Sequence, residues 1–160
     1  MIYVAWILFL GLLTMGFNKL LENQNNPNQD VEVSYNDDRI AEVRLVQNRQ
    51  GHYVANGKIN GRTVTFLLDT GATQISIPEN VANRLQLKKG YPSQAVTANG
   101  TIKVYSTELK SVSLGAITLH NLRGHINPHM EGDEILLGMS FMKHLEIIQR
   151  DRQLLLRHLP

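Results

Sequence analysis

Six consecutive residues, Leu67-Leu68-Asp69-Thr70-Gly71-Ala72, carry the strongest chemical signal in the sequence. Asp69 ends the run Thr63-Val64-Thr65-Phe66-Leu67-Leu68, whose β-branched, aromatic and apolar residues predict a strand entering a buried region. A carboxylate at the end of such a strand is costly to bury unless it is hydrogen-bonded or put to use. Thr70 offers a hydroxyl and Gly71 an amide within its reach, and the glycine permits a tight turn and close backbone approach. A carboxylate held this way can take a proton from water or deliver one to a carbonyl. The chain then returns to β residues in Gln74-Ile75-Ser76-Ile77 and stops at Pro78. An Asx-type turn in a plain hairpin would also use Asp and Gly. The two apolar residues before the acid, the small residue after the glycine and the returning strand favour a chemical role.

Other chemistries find less support. There is no cysteine, which removes disulfides, thiol catalysis and thiolate metal sites. His125 and His129 stand four apart, the spacing at which a helix presents two metal ligands, but Pro128 between them argues against a helix. Both are therefore read as loop or surface histidines, and neither a metal nor a cofactor is expected. A net charge of +2 with no basic run gives no reason to expect nucleic acid as a partner.

The elements around Asp69 are short and β-like. Ala41-Glu42-Val43-Arg44-Leu45-Val46 alternates apolar and polar residues. Gln50-Gly51 predicts a turn, His52-Tyr53-Val54-Ala55 a strand, and Asn56-Gly57 a hairpin turn or bulge. Another turn is expected across Asn60-Gly61 before the strand that leads to Asp69. Turns about every eight residues argue for a small barrel or sandwich. Pro78 to Leu85 reads as a short helix with proline at its start. Gln94 to Thr97 and Thr101 to Tyr105 flank Ala98-Asn99-Gly100, a hairpin with an Asn-Gly turn. Two or three strands follow between Leu109 and Ile126. Glu134 to Leu137 is a strand running into Gly138, Ser140 is a candidate helix cap, and Glu146 to Ile148 and Leu154 to Leu156 are strands joined at Asp151-Arg152.

The amino-terminal part differs in kind. Met1 to Phe17 is almost wholly apolar, with no charge before Lys19, and residues 1–21 reach the length needed to span a bilayer as a helix. A cleaved signal peptide would want a basic start and a small-x-small site; neither is evident, so an uncleaved anchor is favoured. Lys19 is too isolated to set the orientation. Residues 22–39 include Asn23-Gln24-Asn25-Asn26-Pro27-Asn28-Gln29-Asp30, which holds no apolar residue and reads as a flexible polar tether. The folded domain is expected over 40–160.

The Leu-Leu-Asp-Thr-Gly-Ala loop, the Asn-Gly hairpin downstream of it and Ile135-Leu136-Leu137-Gly138-Met139-Ser140-Phe141 resemble, in order and spacing, a bacterial retropepsin-like aspartic protease of the membrane-anchored kind. The likeness covers about Gly51 to Arg157. It implies an all-β fold: a small closed acid-protease barrel with one or two short helices, preceded by a transmembrane helix. It also implies a single-pass protein of the bacterial inner membrane whose catalytic domain faces the periplasm. Asp69 is then the catalytic acid. Thr70, Gly71 and Ala72 support its loop, the Thr70 hydroxyl meeting its mate across a two-fold axis. Ala98, Asn99 and Gly100 form a flap over substrate. Ala72 stands where pepsin-like enzymes often carry a hydroxyl donor, so activity is expected to extend to milder acidity than theirs. The chemistry needs two carboxylates around one water, and the handling of one shared proton by such a dyad is well established. No other Asp has the same setting, so a second copy must supply the second Asp69. The implied partners are the chain itself, protein or peptide substrates, and a lipid bilayer through residues 1–21. Two other readings keep the same fold: a peptide-binding module without catalysis, and a membrane-tethered structural barrel.

Overall fold

The computed structural model describes residues 2–35, 40–97 and 100–158. It opens with helix α1 (Ile2–Asn25). The strands that follow are β1 (Glu32–Tyr35), β2 (Ala41–Val46), β3 (Val54–Ile59), β4 (Arg62–Leu68) and β5 (Ile75–Pro78). Helix α2 (Glu79–Arg84) leads to β6 (Pro92–Thr97), β7 (Gly100–Leu114), β8 (Ile117–Asn127) and β9 (Glu134–Leu137). Helix α3 (Met139–Met142), β10 (Glu146–Arg150) and β11 (Gln153–Arg157) complete the chain.

Seven strands form one sheet in the order β3-β4-β9-β5-β8-β7-β6, and β3 also pairs with β7, so the sheet closes on itself as a small barrel. A second sheet has the order β1-β2-β11-β10. The expected all-β barrel with short helices is what the chain adopts. Its core is mainly aliphatic, with the wholly buried rings of Phe66 and Phe141 and the buried Tyr53 ring. Closure removes most of the free edges that an open sheet of this size would expose.

Turn chemistry explains the hairpins. Asn60 and Gly61 have φ of 50° and 80° between β3 and β4, and Asp151 and Arg152 have φ of 49° and 62° between β10 and β11. Both pairs supply the two positive φ values of a type I′ turn. Asn56-Gly57, read from sequence as a hairpin turn or bulge, lies instead in the middle of β3, in unbroken register with β4. Gly57 is needed for contact rather than for turning: a Cβ there would stand 2.5 Å from the Phe66 ring and from the Ser113 carbonyl oxygen.

The stretch after α1 is also more ordered than its composition implies. The β structure begins at Glu32, where β1 pairs with β2, ahead of Ile40. Asn26 and Asn28 are buried. The Asn28 amide donates to the carbonyls of Val46 (2.9 Å) and Val54 (2.7 Å), and its oxygen accepts from the Val46 N–H (2.7 Å). The Asn56 N–H donates to the Asn28 carbonyl (3.1 Å), and the Asn26 amide donates to the Asn56 side chain (2.9 Å). An Asn side chain carries the donor and acceptor of a peptide unit, so it can complete a β ladder without any apolar surface. Helix α1 runs four residues past the expected boundary at 21. From Tyr3 to Asn25 it has the length and hydropathy to cross a membrane, with its apolar side chains exposed; a signal sequence shares those properties.

Candidate active site

Asp69 sits where β4 leaves the barrel. β9 lies between β4, parallel to it, and β5, antiparallel to it, so the strands entering and leaving the acidic loop straddle one strand. The Leu68 N–H donates to the Tyr53 carbonyl (3.0 Å) and the Asp69 N–H to the Leu137 carbonyl (3.3 Å). The backbone leading into the acid is therefore fixed by β9 and by the residue that precedes β3.

The loop itself is a tight turn in which the Ala72 N–H donates to the Asp69 carbonyl (3.2 Å). The Gly71 N–H donates to Asp69 Oδ1 (2.8 Å). This is the amide–carboxylate contact that the sequence suggested. The fit is close at Gly71: a Cβ there would stand 3.1 Å from that same oxygen, so the carboxylate would have to give by a few tenths of an ångström. Asp69 and Ala72 are half-buried, while Thr70 and Gly71 are exposed. One carboxylate oxygen is thus oriented by a backbone donor, on a side chain that is only half-buried and so keeps contact with solvent. Such a group can activate a water molecule if a partner acid polarises the carbonyl under attack.

A second stretch braces the loop from behind. Past Gly138, the N–H of Met139 donates to the Ala72 carbonyl (2.8 Å) and that of Ser140 to the Thr73 carbonyl (2.9 Å). The Ser140 hydroxyl accepts from the Ile75 N–H (3.1 Å). Sequence reasoning placed Ser140 as a helix cap. The cap position is Gly138, with no side-chain capping bond, and Ser140 lies within α3 and holds the loop instead. The missed signal is the spacing of a hydroxyl two residues after an apolar-apolar-Gly strand end. Ser140→Ala leaves the N–H of wholly buried Ile75 without a partner, which should cost about 1–3 kcal/mol. Thermal denaturation should show Tm lower by about 3–15 °C, and an unchanged Tm would mean that the hydroxyl carries no load.

The hairpin read as a flap has the predicted arms, β6 and β7, in register from Pro92 opposite Tyr105 to Thr97 opposite Gly100. Gly100 has φ of 111°, a conformation that suits glycine. Ala98 and Asn99, the other two residues named for the tip, lie outside the described residues. The hairpin shares its sheet with the acidic loop: Gly124 of β8 is opposite both Ile75, at the loop's end, and Thr107 of β7.

The other aspartates among the described residues are placed differently; Asp37 and Asp38 lie outside them. Asp133 accepts from the Asn80 amide (2.7 Å) and lies 3.6 Å from Arg84. Asp151 pairs with neighbouring Arg150. Asp30 is exposed. Among the described residues no three His, Cys, Asp or Glu side chains gather as a metal site. His125 is half-buried in β8 and His129 exposed after it.

Residues 55–144 match the family of gag-polyprotein putative aspartyl proteases. An uncharacterized protein encoded in the cobV 5′ region of a Sinorhizobium species is 32% identical over 111 residues, covering 68% of this chain and 48% of that protein. An uncharacterized protein of Rickettsia prowazekii is 30% identical over 120 residues, covering 73% and 51%. The chain thus spans about half the length of the curated relatives it matches. Among solved structures, the crystal structure of a retropepsin-like aspartic protease from Rickettsia conorii superposes with a TM-score of 0.66 at 26% identity, over 81% of this chain and 96% of that one. A barrel closed by β3 and β7, an Asp-Thr-Gly-Ala loop braced by α3 and these likenesses agree: the chain belongs to the gag-polyprotein putative aspartyl protease family and has a retropepsin-like fold.

Proposed function

We propose that the chain is an aspartic endopeptidase whose active centre forms when two copies bring their Asp69 carboxylates together. The observation that carries this reading is the loop geometry: a half-buried acid with one oxygen held by the Gly71 amide, on a turn braced from Met139 and Ser140. One carboxylate takes the proton of an attacking water while the other, protonated, polarises the scissile carbonyl. Thr70 is exposed beside the acid, and in this reading it meets its counterpart across the two-fold axis. The hairpin ending at Ala98, Asn99 and Gly100 serves as the flap.

The edge strand β10 supports the pairing. It is the outer strand of its sheet, all five of its residues are exposed, and Ile147 and Ile148 present apolar surface there. An open apolar edge is a template for adding a strand. Antiparallel addition of a second β10 gives a self-complementary two-fold interface. Only three residues separate β10 from α3, so that axis lies close to the helix that braces the acidic loop. Helix α1 acts as a single-pass anchor in the bacterial inner membrane with the domain on the periplasmic side, and shared anchoring raises the local concentration of copies.

The test is Ile147→Lys with Ile148→Lys. Cleavage of an unfolded test protein by the detergent-solubilised full chain should fall by at least about tenfold as mass shifts from dimer to monomer, since like charges across the new edge oppose pairing. Far-ultraviolet circular dichroism should stay unchanged. Monomers that cut at the original rate would end the proposal.

A further inference from the structure

A cavity of about 1110 Å³ opens beside the acidic loop, beginning at Gln74, two residues past Ala72. Its walls come from the segment Gln86 to Gly90, the start of β6, the middle of β7 and the Arg123–His125 portion of β8. The volume is ample for several residues of an extended peptide. The rim carries Tyr91, 87% exposed, a large flat surface for a chain to lie across.

The lining is strongly one-signed. Lys88, Lys89, Lys110 and Arg123 contribute to it, against Glu108 alone among the acids. Lys89 is engaged: it pairs with Glu79 and stacks 4.9 Å over the Tyr105 ring. Lys88, Lys110 and Arg123 are exposed, and no ion pair within 4 Å satisfies them among the described residues. Burial lowers the pKa of His125, so its imidazole is neutral near pH 7 and the charge of the cavity rests on the lysines and Arg123. Unpaired cations along a partly enclosed groove focus potential into it and attract groups of opposite sign.

We infer that this cavity is a flanking subsite that takes acidic side chains of a polypeptide substrate, held by Lys88, Lys110 and Arg123 at a distance from the bond to be cut. The inference rests on the protease reading for its purpose but not for its measurement. Gln74, which lines the cavity, lies two residues past Ala72, so a substrate chain running from the acidic loop along the strand that leaves it would reach the cavity. Its carboxylates replace the missing counter-ions, and the hydroxyls of Ser93 and Ser106 are available to its backbone. Selection is therefore by charge several residues away from the reacting carbonyl.

The experiment uses the full chain carrying Asp69→Asn, so that bound peptide survives. Fluorescein-labelled extended peptides, neutral except for a Glu-Glu or Gln-Gln pair walked along the sequence, are compared by fluorescence anisotropy. At one placement the Glu-Glu form should bind tighter by about tenfold or more at low salt, with the margin shrinking as salt is raised. Combining Lys88→Glu, Lys110→Glu and Arg123→Glu should abolish or reverse the preference, whereas Lys58→Glu, on a strand outside the cavity, should leave it in place. Single Lys→Gln and Arg→Gln changes at the three positions serve if the combined variant does not fold. Equal binding of the two peptide forms, or a preference that outlasts the charge reversal, overturns the inference. Hydrolysis by the unsubstituted chain is scored separately. Preference without any cleavage removes the protease reading and leaves the subsite, and cleavage without preference does the opposite.

Discussion

Asp69→Asn should lower the hydrolysis of an unfolded test protein by about four orders of magnitude, the upper range for losing a positioned acid–base group. The substitution keeps the shape of the side chain. Its amide oxygen can still accept from the Gly71 N–H, which now lies 2.8 Å from Asp69 Oδ1. Tm should therefore move by no more than about 3 °C. What disappears is the proton acceptor, and in a two-fold assembly it disappears from both sides of the water. Mixing supplies a sharper measurement. When equal amounts of unsubstituted and Asp69→Asn chains are dissociated and reassembled, only about a quarter of the pairs contain two carboxylates. Activity per total chain should fall to that fraction of the undiluted value. A value near one half would mean that each copy works alone, and the shared-centre account would then be wrong.

Gly138→Ala should be the most damaging single methyl group in the barrel. Its backbone φ of −87° and ψ of −171° suits any residue, so conformational freedom is not the reason for glycine here. Space is the reason. A Cβ would stand 2.4 Å from the Gln74 carbonyl oxygen and 2.5 Å from that of Ala72. Both are backbone atoms of the acidic loop and neither can swing aside as a side-chain end would. The loop must retreat, and the bonds from Met139 to Ala72 and from Ser140 to Thr73 stretch together. Overpacking of this kind costs about 3 kcal/mol, at the upper end for an inserted carbon. Activity should suffer more than stability, by about a hundredfold, because a displacement near 1 Å is enough to misplace a reacting group. Urea denaturation and peptide hydrolysis measured on the same preparation separate the two effects. A variant within about 0.5 kcal/mol of the parent would show that the loop is far softer than its bonding suggests.

The parts legible in the sequence were those encoded by neighbours along the chain. The Asp69 loop announces itself because strand, acid, glycine and returning strand are contiguous, and the Gly71 amide lies where the turn must put it. The same local logic gave the arms of the β6–β7 hairpin and the turn at Asp151-Arg152. It failed at Asn56-Gly57, where an identical dipeptide signal is overruled by the Phe66 ring and the Ser113 carbonyl packing against the glycine. It failed again at Ser140, whose partner Ile75 is 65 residues away in the chain. β7 and β8, of 15 and 11 residues, were read as shorter pieces, although β8 runs unbroken from Ile117 to Asn127 through Gly124. In fact that glycine lets the Ile75 carbonyl approach, 2.9 Å from where a Cβ would be. The cavity at Gln74 had no sequence signal at all, since its cations come from three separate segments.

The two buried asparagines behind α1 bear on how the domain is carried. With α1 in a bilayer, Asn26 follows the helix directly and Asn28 is stitched to β2 and β3, so there is no slack line on which the barrel could drift away from the lipid. It rides as a head fixed on a short neck, at one height and with little freedom to tumble. Two such heads meeting in the plane of a membrane would arrive already half-aligned, and much of the orientational entropy that dissolved molecules lose on pairing would have been given up beforehand. What they could reach would be equally narrow: chains that emerge from the same surface, within a few nanometres of it.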